Sequence, residues 1–291
     1  MRMEKIESLL VSVDRNRGAS HTLAQAIALG HKFGARIELF VCDAERAFAL
    51  KHEYDTHGVD EARASCLLES RRYLETLLEK APVGSLPVCI DAMCASPLYE
   101  GIVHKVQQSC PDLVVRSVGG GETQSLSASD WALVRTCPVP LLLTHGKPWH
   151  QRPRIAAAVD ISDEEPPALT RSILRAAAFV SASCGGVLEV LYGAGAAAGA
   201  GGAEKDKALT KLHAAELRAR AKDAGAQAEN VHVLIGDPAK TLPRHAADRH
   251  YDLVVLGALT HQKAMTALVG TLTGRLIESL DCDVLLVKPV S

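Results

Sequence analysis

The residues with the plainest chemical potential lie between positions 251 and 289. Leu253, Val254, Val255 and Leu256 form an apolar run that ends in Gly257, the composition of a strand buried on both faces. A helix is predicted to begin at Gly270 and Thr271. Glycine lets a ligand come close to the main chain, and a threonine hydroxyl can cap the helix or donate to a ligand. A helix N-terminus carries unpaired N–H groups and the positive end of the dipole, so this is a candidate anion site. The chemistry it suggests is the holding of phosphate oxygens rather than bond cleavage. No Ser-His-Asp order, paired-carboxylate arrangement or Walker lysine at G-K-[S/T] is visible, so no catalytic residue is assigned.

A second candidate is Asp160, at the C-terminal end of a predicted strand over 154–159. Ligands of open α/β sheets collect there, and its carboxylate could accept a hydrogen bond from a ribose hydroxyl or an adenine amine. Asp14 ends the corresponding strand of the first half and reads as a turn or cap residue. Gly119, Gly120 and Gly121 lack a following helix at phosphate-loop spacing and read as a turn. His52, His57, His145, His150 and His261 show no i, i+4 pair, so loop histidines are expected and no metal is assigned. His245 and His250 lie near a predicted helix end, where a dipole partner role suffices. Trp131 reads as a core anchor.

The elements that must position these groups alternate. In the first half, strands are expected over 6–13, 36–42, 87–92, 112–118 and 139–144, with helices over 20–33, 61–80, 97–109 and 129–136. The second half repeats the order: strands over 154–159, 186–192, 230–235, 253–257 and 284–287, and helices over 168–182, 204–224, 238–249 and onward from 270. Between the second strand and its helix, the Gly/Ala run 193–203 reads as a flexible loop. The segment 145–153, with two prolines and no periodicity, is expected to be the linker. Alternating β and α elements predict parallel sheets covered on both faces. Asp112 and Asp252 are 140 residues apart, Cys137 and Cys282 145, and Asp14 and Asp160 146. Near-constant offsets mean two copies of one domain. The expected architecture is α/β: two tandem, doubly wound, Rossmann-like domains of five parallel strands each, over 1–146 and 154–291.

Composition sets the wider bounds. The 291 residues carry 32 basic and 34 acidic side chains, for a net charge of −2. That balance steers the chain toward neither nucleic acid nor an anionic membrane. Eight cysteines are present and none forms a C-x-x-C pair, which argues against a zinc ribbon or redox dithiol. With no signal peptide or long apolar span in the sequence, reduced thiols and a cytoplasmic location are expected.

Both halves resemble the tandem universal stress proteins. Members of that family hold ATP through G-x-x-G, nine residues, then G-[S/T], after the fourth strand. The second half offers Gly257, two residues, Thr260 in place of the second glycine, nine residues, then Gly270-Thr271. The first half has Arg116-Ser117-Val118 at the matching place, and its segment from Asp112 to Cys137 is five residues shorter than that from Asp252 to Cys282. Its SASDWALVRTCPVPLL, from Ser127, is similar to the first domain of the E type. The resemblance implies ATP, with Mg²⁺, in the C-terminal domain alone, with backbone near Ala158, Tyr192 and Leu256 around the adenine. The candidate nucleotide-binding set is Ala158, Asp160, Tyr192, Leu256, Gly257, Thr260, Gly270, Thr271 and Leu272. It further implies an intramolecular pseudo-dimer, with a homodimer as a further option, and protein partners of unknown identity. Because a Cβ at Thr260 restricts close approach, two other readings stay open. One is a nucleotide-independent interaction protein or carrier of a lipid or other small ligand, and the other a slow ATPase.

Overall fold

The computed structural model describes residues 5–50, 56–118, 126–162, 165–195, 203–258 and 271–289. Two compact units emerge, 6–146 and 147–291, the latter also taking in the first five residues. The expected glycine turn at 119–121 lies outside the described residues, as do Thr260 and Gly270 of the phosphate-loop motif.

The N-terminal unit runs β1 (Ser8–Val13), α1 (Ala19–Phe33), β2 (Arg36–Cys42), α2 (Ala44–Leu50), α3 (Thr56–Glu79), β3 (Val88–Met93), α4 (Leu98–Ser109), β4 (Leu113–Ser117), α5 (Ala128–Thr136) and β5 (Leu141–Thr144). Its strands are parallel where they pair, in the order β3-β2-β1-β4-β5. The C-terminal unit runs β6 (Arg154–Ala158), α6 (Pro167–Cys184), β7 (Val187–Gly193), α7 (Ala203–Asp223), β8 (Asn230–Leu234), α8 (Pro238–Asp248), β9 (Leu253–Gly257), α9 (Thr271–Ser279) and β10 (Asp283–Val287). Its order, β8-β7-β6-β9-β10, is the same arrangement. The apolar runs become buried strands: all six residues of β1 and all five of β4 and β10 are buried. Helices end where the chain demands it; Gly34 and Gly185 take φ of 66° and 63° directly after α1 and α6, a left-handed turn that costs glycine little.

The repeated aspartates find a structural explanation. Asp112 Oδ2 accepts from the backbone N–H of Glu7 (2.9 Å) and Ser8 (3.0 Å). Its twin Asp252 accepts from the backbone N–H of Arg154 (2.8 Å) and His150 (2.9 Å). Each carboxylate clamps the entry to the first strand of its sheet, where the N–H groups would otherwise lack partners.

Two expectations need correction. The segment read as a linker, from position 147 onward, belongs to the C-terminal unit: Trp149 Nε1 donates to Asp283 Oδ2 (2.8 Å) and His150 to Asp252. A proline-rich stretch without periodicity still binds a surface when its side chains find partners there. The loop expected after β2 contains α2, only seven residues long, too short for periodicity to reveal.

Candidate functional site

In each unit the strand order reverses between the first and fourth strands, β1 beside β4 and β6 beside β9. At such a switch point the helices leave to opposite faces and a crevice opens beyond the C-terminal ends of the strands. The two crevices differ. In the C-terminal unit the pairing of β6 with β9 ends at Ala157 and Val255. In the N-terminal unit β1 and β4 remain paired one residue further, through Ser12 and Arg116. By the 140- and 146-residue offsets, Ser12 and Arg116 are the counterparts of Ala158 and Leu256. The C-terminal strands therefore separate where those two residues stand.

Around that opening the structure gathers Ala158, Asp160, Leu256 and Gly257. Ala158 and Leu256 are buried, at 9% and 3% exposure, and offer mainly backbone. Asp160 is held in a tight turn, its Oδ1 accepting from the Ser162 N–H at 2.8 Å. Tyr192 lies near the end of β7 and meets the His213 ring edge-on, with centroids 5.1 Å apart; burial, with Asp160 and Glu216 nearby, raises its hydroxyl pKa. Gly257 has a reason unrelated to phosphate: a Cβ there would stand 2.5 Å from Leu169 Cδ2, so the first turn of α6 rests directly on the β9 main chain. Its carbonyl accepts from Thr273 Oγ1 of α9 (3.2 Å), tying the last helix to the end of β9. Thr271 opens α9, and Leu272 is 38% exposed.

Sequence reasoning passed over Glu165. Its Oε1 accepts from Thr170 Oγ1 at 2.7 Å, and Thr170 also reaches the Asp160 carbonyl at 3.5 Å. Burial, with Asp160 close by, lifts the Glu165 carboxyl to about 7. Glu165 is the last of three consecutive acids before α6, Asp163-Glu164-Glu165, and nothing in that run marks it as the buried one. Nearby, Asp237 caps α8, accepting from the Ala239 N–H (3.1 Å), and pairs with Arg275 of α9 (3.2 Å).

These residues provide backbone groups at the ends of the strands, an oriented carboxylate acceptor and a half-buried aromatic ring. Carboxylate, main chain and ring together can hold a ligand by hydrogen bonds and apolar contact.

In the N-terminal unit the place of Leu256 is taken by Arg116, 2% exposed. Arg116 Nε donates to Asp130 Oδ1 (2.7 Å) and Nη1 to Ser12 Oγ (3.4 Å), with Asp14 Oδ2 3.9 Å from Nη2. Arg17 adds a second guanidinium to Asp130 at 2.9 Å. Asp130 in turn completes a capping box with Ser127 at the start of α5. Burial pushes the Asp130 carboxyl up, but Arg116 and the Ser127 bonds outweigh it and hold its pKa below the usual range. Asp14, Arg17 and Arg116 line a cleft of about 500 Å³, whereas the C-terminal unit has the apolar Leu256 in the place of Arg116. Asp14, expected as a turn residue, accepts from the Asn16 N–H (3.0 Å) as well as facing Arg116.

Comparison with known proteins agrees with this architecture. Residues 152–288 match the model of the Universal stress protein family. Along 99% of its length the chain is 23% identical to "Universal stress protein E" of Escherichia coli K12, of which it covers 95%. It is 22% identical to the homologue in Haemophilus influenzae, with 98% of each chain covered. Among solved structures, a protein of unknown function from Pseudomonas aeruginosa PAO1 superposes with a TM-score of 0.69 at 21% identity, covering 99% of this chain and 94% of that one. A universal stress protein from Archaeoglobus fulgidus gives 0.65 at 18% identity, covering 97% and 98%; at these identities the likeness speaks for the fold alone.

Proposed function

The chain is a tandem-domain universal stress protein of the E type, and on that premise we propose that it binds an adenine nucleotide, ATP with Mg²⁺, in its C-terminal unit alone. The observation that carries the reading is the asymmetry between the twin crevices: β6 and β9 separate at Ala158 and Leu256 beside Asp160, whereas β1 and β4 stay paired up to Arg116. The adenine would lie against the backbone of Ala158 and Leu256 and the ring of Tyr192, with Asp160 accepting a ribose hydroxyl. The phosphates would be held by the segment from Thr260 to Thr271 and the first turn of α9, at Leu272, with Mg²⁺ screening their charge. The N-terminal unit serves as a structural half, since its matching position holds a guanidinium committed to Asp130. The protein works in the cytoplasm through protein partners that read the occupied C-terminal surface. No helix among the described residues is long and apolar enough to cross a membrane.

Calorimetric titration with ATP and Mg²⁺ tests the proposal on the wild-type chain and on Asp160→Ala and Gly270→Asp. Binding at one site, weakened at least about tenfold in each variant, is expected, since losing a charged acceptor removes about 1.5–3 kcal/mol. Equal weak heats in all three would remove the nucleotide. Native mass spectrometry of the protein as purified would then show whether a lipid or other metabolite occupies the crevice instead.

A further inference from the structure

Toward the N-terminal ends of β6 to β9, away from the nucleotide crevice, three groups from three elements converge. Glu189 of β7 is 1% exposed. Its Oε1 accepts from Arg154 Nη2 (2.9 Å) and Arg249 Nη2 (2.7 Å). Its Oε2 accepts from the Tyr251 hydroxyl and lies 3.0 Å from His232 Nε2 of β8. His245, on α8, lies beside His232, their ring centroids 4.7 Å apart. Its Nε2 is buried and has no hydrogen-bond partner. That nitrogen is the anomaly: a buried polar atom left unmade costs about 1–3 kcal/mol, and the ion pairs around Glu189 are complete without it. The helix-end dipole role expected for His245 leaves the orientation of its ring unexplained.

The ligand atoms of Glu189, His232 and His245 all lie within 4.8 Å of one another. We propose that these three side chains form a binding site for one divalent transition-metal ion of the Zn²⁺ class, with two imidazole nitrogens, one carboxylate oxygen and an open fourth position. Two imidazoles with one carboxylate is a recurrent zinc ligand set, and imidazole nitrogen selects against Mg²⁺ and Ca²⁺, which take oxygen. Two of the three ligands hold protonation states that suit a metal. Burial, then His232 and Arg249, keep the His245 pKa below its ordinary value, leaving a lone pair on a neutral ring. Although burial opposes it, the Tyr251 and Arg249 hydrogen bonds hold Glu189 down at about 2, so it is ionised. The arginines stay on Oε1 as outer-shell donors that fix the carboxylate, leaving Oε2 to face the imidazoles. Their charge repels a dication, so the ion is held exchangeably rather than permanently. His232, with a side chain 25% exposed, gives the route of entry.

The test uses the untagged full-length chain, stripped with a chelator and titrated with Co²⁺, then with Zn²⁺ in competition. One equivalent with a visible ligand-field band, displaced by Zn²⁺, is expected. His245→Gln and His232→Gln should weaken Zn²⁺ by more than about 100-fold, since even outer-shell partners are worth roughly 10–100-fold. His104→Gln, exposed and remote, should leave it unchanged. Circular dichroism of each variant keeps loss of fold apart from loss of a ligand, and Glu189 is left intact because its removal would strand two arginines. Absence of a band, or equal Zn²⁺ affinity in the wild type and both ligand variants, overturns the site. Neither result depends on nucleotide.

Discussion

Replacing Asp130 by Asn should destabilise the N-terminal unit severely, and the size of the effect follows from what surrounds the carboxylate. Asp130 is 1% exposed and faces the guanidiniums of Arg116 at 2.7 Å and Arg17 at 2.9 Å, the former itself 2% exposed. Removing its charge leaves Arg116 with Ser12 at 3.4 Å and Asp14 at 3.9 Å. Breaking one partner of a buried pair costs about 3–5 kcal/mol. With a urea slope of about 2 kcal/mol per molar, the midpoint should fall by roughly 1.5–2.5 M. The chain has two tryptophans, Trp131 beside this site and Trp149 in the other unit. Fluorescence-detected unfolding in a Trp149→Phe background therefore reports the N-terminal unit alone. Adding Arg116→Leu, the counterpart of Leu256, should recover much of the loss, because it removes the buried guanidinium that Asp130→Asn leaves without its carboxylate. A midpoint shift below about 0.5 M for Asp130→Asn, or a double variant no better than the single, would refute the account of Arg116 as a neutralised buried charge. The Asp130 pKa is depressed in the fold, so its contribution is present above the unfolded carboxylate range and is lost as pH falls through the folded value.

Two further outcomes concern the C-terminal crevice. Gly257→Ala places a Cβ 2.5 Å from Leu169 Cδ2, and thermal unfolding without ligand should show a loss of about 1–3 kcal/mol by overpacking; unchanged apo stability would mean that Gly257 serves only a ligand. Glu165, raised to about 7 in the fold from 4.5, stabilises most at low pH and loses that contribution as pH rises through 7. Glu165→Gln should therefore gain on the wild type between pH 5 and pH 8 by up to about 3 kcal/mol, and a difference independent of pH in urea unfolding would contradict the buried, proton-bearing carboxyl.

Much of the fold was legible along the chain because its signals are local. Apolar runs marked β1, β4, β9 and β10, and the 140- and 146-residue spacings exposed the duplication. The candidate site was legible in part, through Asp160 and the position of Gly257 at the end of β9. The charged residues inside the strands were harder. Arg116 in DLVVRSVG and Glu189 in GGVLEVLYG each interrupt an apolar run, a pattern that flags a buried partner without naming it. Arg116 is neutralised by a residue 14 positions away on a helix cap, and Glu189 by Arg154, Arg249 and Tyr251 from the ends of other elements.

The sequence by itself determined the element order, the doubling of the domain and the difference in charge between its two crevices, since each follows from periodicity or residue type read along one chain. Only the tertiary structure decided that β6 and β9 separate a residue earlier than β1 and β4 do. It alone revealed that Gly257 is demanded by Leu169, and that His245, grouped with Glu189 and His232, has a buried Nε2 without a partner. Those outcomes depend on distances between residues remote in sequence, where burial strips away water and each polar group must find its partner from whatever the fold brings alongside.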